Sequence, residues 1–399
     1  MQTELAAFIR DTPEGREADA ILRKCVHCGF CTATCPTYQL LGDELDGPRG
    51  RIYLVKQVLE GVAPTQRTRL HLDRCLTCRA CETICPSGVQ YGRLADIGRA
   101  IVEEKVGRDA WDSLNRRVLG WVLPRTGLFS VLLFLGRTFR WILPEELKKK
   151  VPPHESPGAW PAARHGRKML ALAGCVQPAL APGINAAAAR ALDRAGISLV
   201  EAPGAGCCGA LRFHLNDQAA GREDIRALID AWWPQVERGE IEAIVMTASG
   251  CGAFVREYAH QLKDDPAYRD KAARISGMTR DLSEVLPESS VRKRNQKRRV
   301  AFQSPCSLQH GQQLRGQVER LLEAAGCELT PVAEGHLCCG SAGTYSILQP
   351  ELSAKLKERK LSALSAGGPQ VIATANIGCL SHLQGGTPTP VRHWIELLE

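Results

Sequence analysis

Apolar residues fall at helical spacing in two places early in the chain. Ile52, Val55, Val58 and Leu59 share one helix face, and Gly61 stands where such a helix would stop. Leu94, Ile97 and Ile101 repeat the spacing. Neither stretch shows the alternation of a half-buried strand, so this first region reads as helical. The most apolar stretch, Val118 to Leu143, is interrupted by Pro124, Arg125, Arg137 and Arg140. Its uncharged run, Thr126 to Gly136, is short of the ~20 residues that span a bilayer, so no transmembrane helix is expected. It reads as a core or subunit-contact helix. The alternative is a membrane-surface helix, flanked by Trp121, Trp141 and arginines. Lys148 to Pro153, with Pro157 and Pro161 beyond, has the composition of a linker.

From residue 167 the pattern changes and then repeats. Each copy opens with a short apolar run, Met169 to Gly174 or Val300 to Ser304, followed by Cys175 or Cys306. A helical stretch ends in Ala195-Gly196 or Ala325-Gly326, and a second apolar run leads to Cys207-Cys208-Gly209 or Cys338-Cys339-Gly340. The step from the first cysteine to the cysteine pair is 32 residues in both copies. A third run, Ala243 to Ala248 or Val371 to Ala375, ends in Gly250-Cys251 or Gly378-Cys379. Short apolar runs alternating with helices predict an α/β domain with parallel strands, twice over.

Composition alters this picture at one point. Of 399 residues, 44% are hydrophobic and 24% charged, and the net charge of +8 is spread along the chain. That is ordinary for a folded protein and gives no footprint for nucleic acid. The basic run Arg292 to Arg299 reads as a solvated connector between the copies. The 17 cysteines are the exception. The first residues, Met1 to Arg10, lack a basic segment followed by an apolar one, so no signal peptide is expected. Many cysteines in a chain expected to be cytoplasmic point to metal or redox chemistry rather than disulfides.

Eight of the cysteines form two identical motifs. Residues 25–36 read Cys25-x-x-Cys28-x-x-Cys31-x-x-x-Cys35-Pro36, and residues 75–86 read Cys75-x-x-Cys78-x-x-Cys81-x-x-x-Cys85-Pro86. This is the two-cluster ferredoxin spacing, in which the fourth cysteine of each motif reaches the other cluster. The expected ligand sets are Cys25, Cys28, Cys31 and Cys85 for one [4Fe–4S] cluster, and Cys75, Cys78, Cys81 and Cys35 for the other. Zinc prefers paired C-x-x-C units closing a tetrahedron and has no use for four cysteines and a proline repeated twice. Lys24, Arg74 and Arg79 lie beside the ligands, where they would either temper the clusters' negative charge or simply be solvated. The organisation that follows is a helical ferredoxin domain (1–110), a helical and linker segment with a candidate membrane-surface or subunit contact (111–166), and two α/β Cys-Cys-Gly repeats (167–290 and 291–399).

Ligands of open parallel sheets gather at the carboxyl ends of the strands. On that ground Cys175, Cys207, Cys208 and Cys251 are expected to converge on one crevice, and Cys306, Cys338, Cys339 and Cys379 on another. Four thiols can hold a further cluster, hold zinc, or form a reactive dithiol. The glycine after each cysteine pair would let the backbone pass close to a bulky centre. Cys327 matches Ile197 in the repeat and reads as a core residue. His214, His310, His336 and His382 lie near the sites in sequence, and His382 could complete a ligand set. No G-x-G-x-x-G dinucleotide fingerprint and no catalytic residue are found.

The segment Cys25 to Glu44, then Gly47-Pro-Arg-Gly-Arg-Ile52, and Cys75 to Gly92 resemble the iron–sulfur subunits of bacterial glycolate oxidases. The twin repeat is similar to the Cys-Cys-Gly domains of those subunits, of lactate-utilisation proteins, of the anaerobic glycerol-3-phosphate dehydrogenase small subunit and of heterodisulfide reductase. The resemblance implies a non-substrate-binding subunit of an FAD-linked 2-hydroxy-acid dehydrogenase complex. A flavoprotein partner would oxidise glycolate to glyoxylate on its FAD, and this chain would pass the electrons to a quinone or another acceptor. It also implies a cytoplasmic complex touching the inner membrane. The alternatives are a lactate or glycerol-3-phosphate dehydrogenase subunit, or a heterodisulfide-reductase-like thiol enzyme. In heterodisulfide-reductase relatives each motif ends in C-x-x-C and supplies five thiolates. Here the last position is Phe254 in one copy and His382 in the other, so five-thiolate ligation is not available.

Overall fold

Proline at the first helical position and capping hydroxyls start the N-terminal helices. The helix Pro13–Lys24 is capped by Thr12, whose hydroxyl accepts from Gly15 N–H at 3.0 Å, and it buries Ala18, Ile21 and Leu22 before ending at Cys25. The helix Pro48–Leu59 buries Ile52, Val55, Val58 and Leu59, the face expected from their spacing. The helix Tyr91–Val106 buries Leu94, Ala95, Ile101 and Val102. These last two helices pack closely because Gly98 has no side chain: a Cβ there would lie 2.5 Å from Val55 Cγ2. Cys25 and Cys81 are part of the same core as Leu22, Leu59 and Leu94.

The computed structural model describes residues 1–142, 144, 148, 151–293 and 297–399. Leu143, Lys149, Lys150 and residues 294–296, which fall within the apolar stretch, the linker and the basic connector, lie outside the described residues. The chain forms two compact units. One contains Met1–Arg116 and Glu334–Lys360; the other contains Arg117–Ala333 and Leu361–Glu399. Thus Glu334–Lys360, by sequence part of the second repeat, belongs to the unit that carries the N-terminal motifs.

The second unit holds two four-stranded sheets of identical topology. The first comprises β1 (Arg167–Ala171), β2 (Ile197–Glu201), β3 (Ala243–Met246) and β4 (Thr279–Asp281), in the order β2-β1-β3-β4. The second comprises β5 (Arg298–Gln303), β6 (Cys327–Leu329), β7 (Val371–Thr374) and β8 (Val391–His393), in the order β6-β5-β7-β8. Every pairing is parallel. Arg167 pairs with Ile197 and Arg298 with Cys327, so Cys327 opens its strand where Ile197 does, packed against the core. All four residues of β3 and of β7 are buried, as strands covered on both faces must be.

Side chains of β1 alternate between two cores. Met169 and Ala171 enter one that contains Val300 and Phe302 of β5, so the two repeats share a core. Leu170 enters the other, with Ile225, Ile229 and Trp232 of the helix Gln218–Glu237. A buried imidazole also joins the repeats. His393 Nε2 donates to the Thr247 carbonyl at 2.8 Å, and its Nδ1 accepts from Ile395 N–H at 3.3 Å. Burial pulls its pKa down to about 4, which keeps the ring neutral and fixes that tautomer.

Among the described residues, no single helix is long and apolar enough to cross a membrane. The helices Ala110–Val122 and Thr126–Thr138 pass that test only as a pair bent by 104°. The apolar stretch is largely exposed: Val118, Trp121, Val131, Phe134, Phe139 and Trp141 face outward, and Leu133 is the buried member of Thr126–Thr138. It is therefore not a core helix.

Candidate metal centres

The two N-terminal motifs share one backbone path. His27 and Gly29 have φ of 55° and 85°, and Thr77 and Arg79, at the matching places, have 52° and 60°. Left-handed backbone at a β-branched threonine persists only where the surroundings enforce it. Backbone N–H groups then point at sulfur. Thr77 N–H lies 3.4 Å from Cys75 Sγ, and Val89 N–H lies 3.5 Å from Cys85 Sγ.

Two cavities result. One, of about 440 Å³, is lined by Cys25, Cys28, Cys31 and Cys85, with Arg49 and Tyr91 also on its wall. The other, of about 370 Å³, is lined by Cys35, Cys75, Cys78 and Cys81, with Arg51 and Tyr91. Cys81 also borders the first cavity, but the thiols that act on it electrostatically are Cys78, Cys75 and Cys35. Each cavity thus draws cysteines from both motifs, and with Cys81 counted with the thiols that act on it, the sets are three from one motif and one from the other. The donors are all sulfur and amides face them, a set that fits a [4Fe–4S] centre in each cavity.

The thiols of these cavities respond differently to their surroundings: burial, then the neighbouring cysteines, raises Cys81 well above the ordinary thiol range. Burial, followed by the charge of Cys25, pushes the Cys31 thiol up to about 11. Cys75 goes the other way. Burial would raise it, but the Arg51 and Arg99 guanidinium groups outweigh burial and hold it below the ordinary thiol range. Arg51 is anchored by a buried network. Its Nε donates to the His71 carbonyl at 2.7 Å, Nη1 to Thr37 Oγ1 at 3.1 Å, and Nη2 lies 3.3 Å from Asp46 Oδ1. Asp46, itself fully buried, also holds Arg74 at 2.8 Å and a His71 ring nitrogen at 3.1 Å. Sequence reading singled out Arg74 but gave Arg51 no role. Arg51 lies only in a Gly-Pro-Arg-Gly-Arg string whose charges look like a surface helix start. Lys24 is exposed. The Arg79 side chain lies over the start of the helix Tyr91–Val106, its Nε 3.0 Å from where a Gly92 Cβ would be.

The first repeat brings its four cysteines together. Cys207 is in hydrogen-bonding contact with Cys175 and Cys208, and Cys208 with Cys251. Hydrogen bonds from Cys175 and Cys208, with the Gly209 N–H at 3.4 Å and the charge of Arg212, hold the Cys207 thiol well below its usual range. Cys175 and Cys208 are correspondingly raised, each first by its contact with Cys207. Four thiols in mutual contact, one of them held low by its neighbours, suit a thiolate-binding metal or dithiol chemistry. Phe254, where a fifth thiolate would stand, packs against Phe213, His214 and Tyr258 with ring centroids 5.3, 5.7 and 6.0 Å away, and the Tyr258 hydroxyl donates to the Cys208 carbonyl at 2.7 Å.

In the second repeat, Cys338 and Cys339 lie in the unit of the N-terminal motifs, and Cys306 and Cys379 in the other. Cys338 Sγ accepts from Gly340 N–H at 3.4 Å, the counterpart of Cys207 and Gly209. Within the same unit, the Tyr345 hydroxyl donates to the Arg74 carbonyl at 3.0 Å, one residue before Cys75. Cys379 Sγ lies 3.8 Å from Asn376 Nδ2. His214 belongs to the aromatic cluster, His310 is buried in the π-helical turn Ser307–Gly311 after Cys306, His336 is half-buried, and His382 lies on the helix Ile377–Gln384.

The glycine of each cysteine pair is needed for its backbone neighbours. Gly209 and Gly340 have φ of 84° and 88°, and a Cβ would lie 2.6 Å from the Gly221 carbonyl oxygen or 2.7 Å from that of Ser353. Sequence reasoning expected the glycine to make room for a metal centre; the crowding comes from the helix that follows. Gly209→Ala should therefore destabilise the chain by ~1–3 kcal/mol through strained backbone. A fall in the thermal midpoint checks this, and an unchanged midpoint would show that the loop relaxes.

Comparison with known proteins covers the same regions. The family described as 4Fe-4S dicluster domain matches residues 21–89, and that described as cysteine-rich domain matches 169–256 and 300–384. The chain is 54% identical to the glycolate oxidase iron-sulfur subunit of Escherichia coli, over 100% of this chain and 98% of that protein. It is 32% identical to the probable glycolate oxidase iron-sulfur subunit of Bacillus subtilis, over 92% and 89%. It is 24% identical to lactate utilization protein A of an Exiguobacterium species, over 56% of this chain and 94% of that protein.

Proposed function

The chain belongs to the family of glycolate oxidase iron–sulfur subunits, and from that premise we propose that it carries electrons away from a flavoprotein that oxidises glycolate. In this reading Cys25, Cys28, Cys31 and Cys85 hold one [4Fe–4S] cluster, and Cys75, Cys78, Cys81 and Cys35 hold the other. The observation that carries the reading is the pair of cysteine-lined cavities, each of which brings cysteines of both motifs together. The clusters supply one-electron steps. The chain's own residues hold them in an apolar core, direct backbone amides at the sulfurs and set the charge around each.

The partner oxidises glycolate to glyoxylate on its FAD and gives up two electrons, which this chain takes singly and delivers to a quinone or another acceptor. The complex works at the cytoplasmic face of the inner membrane. A further four-thiolate centre at Cys175, Cys207, Cys208 and Cys251 is supported by the contacts among those thiols. Cys306, Cys338, Cys339 and Cys379 are the matching set in the second repeat. Phe254, closed into an aromatic cluster, counts against a heterodisulfide-reductase type of chemistry.

The test is anaerobic and optical. Glycolate should bleach the cluster absorbance of this chain only when the flavoprotein subunits are present, and lactate or glycerol 3-phosphate should bleach it far more slowly. Glycolate oxidation by the isolated chain, or faster bleaching by another substrate, would overturn the reading. Iron and acid-labile sulfide near eight per chain fit two cubanes alone; each occupied repeat would add about four.

A further inference from the structure

The two N-terminal cavities match in cysteines and differ in charge. At the first, Arg49 sits on the rim with its side chain 37% exposed, paired with Glu44 at 2.6 Å. Water screens that charge, and the pair is neutral. At the second, Arg51 and Arg79 both lie on the wall, and of these Arg51 is the buried one, its side chain 1% exposed. Its Thr37 contact places that hydroxyl 3.3 Å from Cys35 Sγ, so the fork reaches the edge of the ligand set.

The one carboxylate in that network, Asp46, is shared by Arg51 and Arg74. Of the buried charge, one carboxylate answers two guanidinium groups; Asp43, within 4.8 Å of it, is not buried and is screened by water, so positive charge is left facing the thiolates. Arg99 adds to it from the far side of the loop, donating to the carbonyls of Leu72 and Cys75 at 2.8 and 2.6 Å. A buried cation stabilises the more negative form of a neighbouring centre, and an iron–sulfur cluster gains negative charge on reduction.

We propose that Arg51 makes the Cys35–Cys75–Cys78–Cys81 centre the more easily reduced of the two, so that electrons run toward it from the Cys25–Cys28–Cys31–Cys85 centre. The step moves one electron: what one centre loses the other gains, and no bond or proton changes partner. This rests on the ligand sets proposed above. It gives the pair a direction, toward the motif whose Arg74 carbonyl Tyr345 holds.

The experiment is a redox titration of the full chain under argon, each centre followed by electron paramagnetic resonance. The Cys75-side centre should have the higher midpoint. Arg51→Met should lower that midpoint by at least tenfold in equilibrium constant, ~59 mV for one electron, and move the other centre much less. Arg51→Lys, which keeps the charge without the fork, should recover most of the shift. If Arg51→Met loses its iron, Asp46→Asn decides: removing the negative charge should move the same midpoint upward, a result that a merely structural network would not produce. Equal midpoints in the native chain, or no selective shift in either direction, overturn the proposal. Iron content separates the two failures, since a native chain well short of about eight irons would sink the ligand reading itself.

Discussion

Replacing Cys85 with alanine should cost the chain the centre built on Cys25, Cys28 and Cys31, fifty residues and more upstream, and spare the one built on the motif in which Cys85 lies. Cys85 lines the cavity of about 440 Å³ with the first motif's cysteines, and its sulfur accepts the Val89 amide there. Iron should fall by roughly four atoms per chain. Cys35→Ala should give the complementary loss. The readout is iron analysis together with the resonance spectrum of the reduced chain, in which the surviving signal differs between the two variants. If both variants lose the centre of their own motif instead, each motif closes on itself and the crossed arrangement is wrong.

The second large effect concerns stability. Asp46 is the single carboxylate in a buried set containing Arg51, Arg74 and His71. Asp46→Ala would leave the Arg51 guanidinium without its counterion inside the protein, and breaking a buried pair in this way typically costs ~3–5 kcal/mol. The helices Pro48–Leu59 and Gln66–Asp73, which carry Arg51 and His71, should loosen together. Thermal denaturation under argon checks this, with Asp46→Asn as the milder comparison because it keeps the shape and part of the hydrogen bonding. A loss below ~1 kcal/mol for Asp46→Ala would show that Arg51 finds water or another partner.

Much of this was legible in the residues, for physical reasons that can be named. A cubane needs thiolates at fixed short intervals, so Cys25 to Cys35 and Cys75 to Cys85 could be read by spacing alone. The central strands stood out because strands buried on both faces are continuous apolar runs, as in Ala243–Met246 and Val371–Thr374. The outer strands were not read. Thr279–Asp281 and Val391–His393 are three residues long, with a charged middle residue facing out, and no window that short carries a period. The Asp46–Arg51 network escaped as well, since an arginine next to Pro-Arg-Gly looks solvated until its burial is known. The placement of Glu334–Lys360 was hidden because a segment's partners are a matter of tertiary contact, and its local pattern matches the first repeat.

That placement has a consequence in time. The helical unit closes across 271 positions, from Arg74 to Tyr345. A ribosome adding ~5–20 residues per second takes roughly a quarter of a minute to a minute to make the stretch between them. For most of that interval both cysteine motifs have been made, yet the piece that completes their unit does not exist. Nascent chains therefore pass through a stage with bare, oxidisable thiols. Iron delivery has to wait for the C-terminal third of the protein or be guarded until it arrives. A message cut short between residues 86 and 334 would yield, for this reason, a fragment that contains all eight cysteines of the two motifs and only part of their housing.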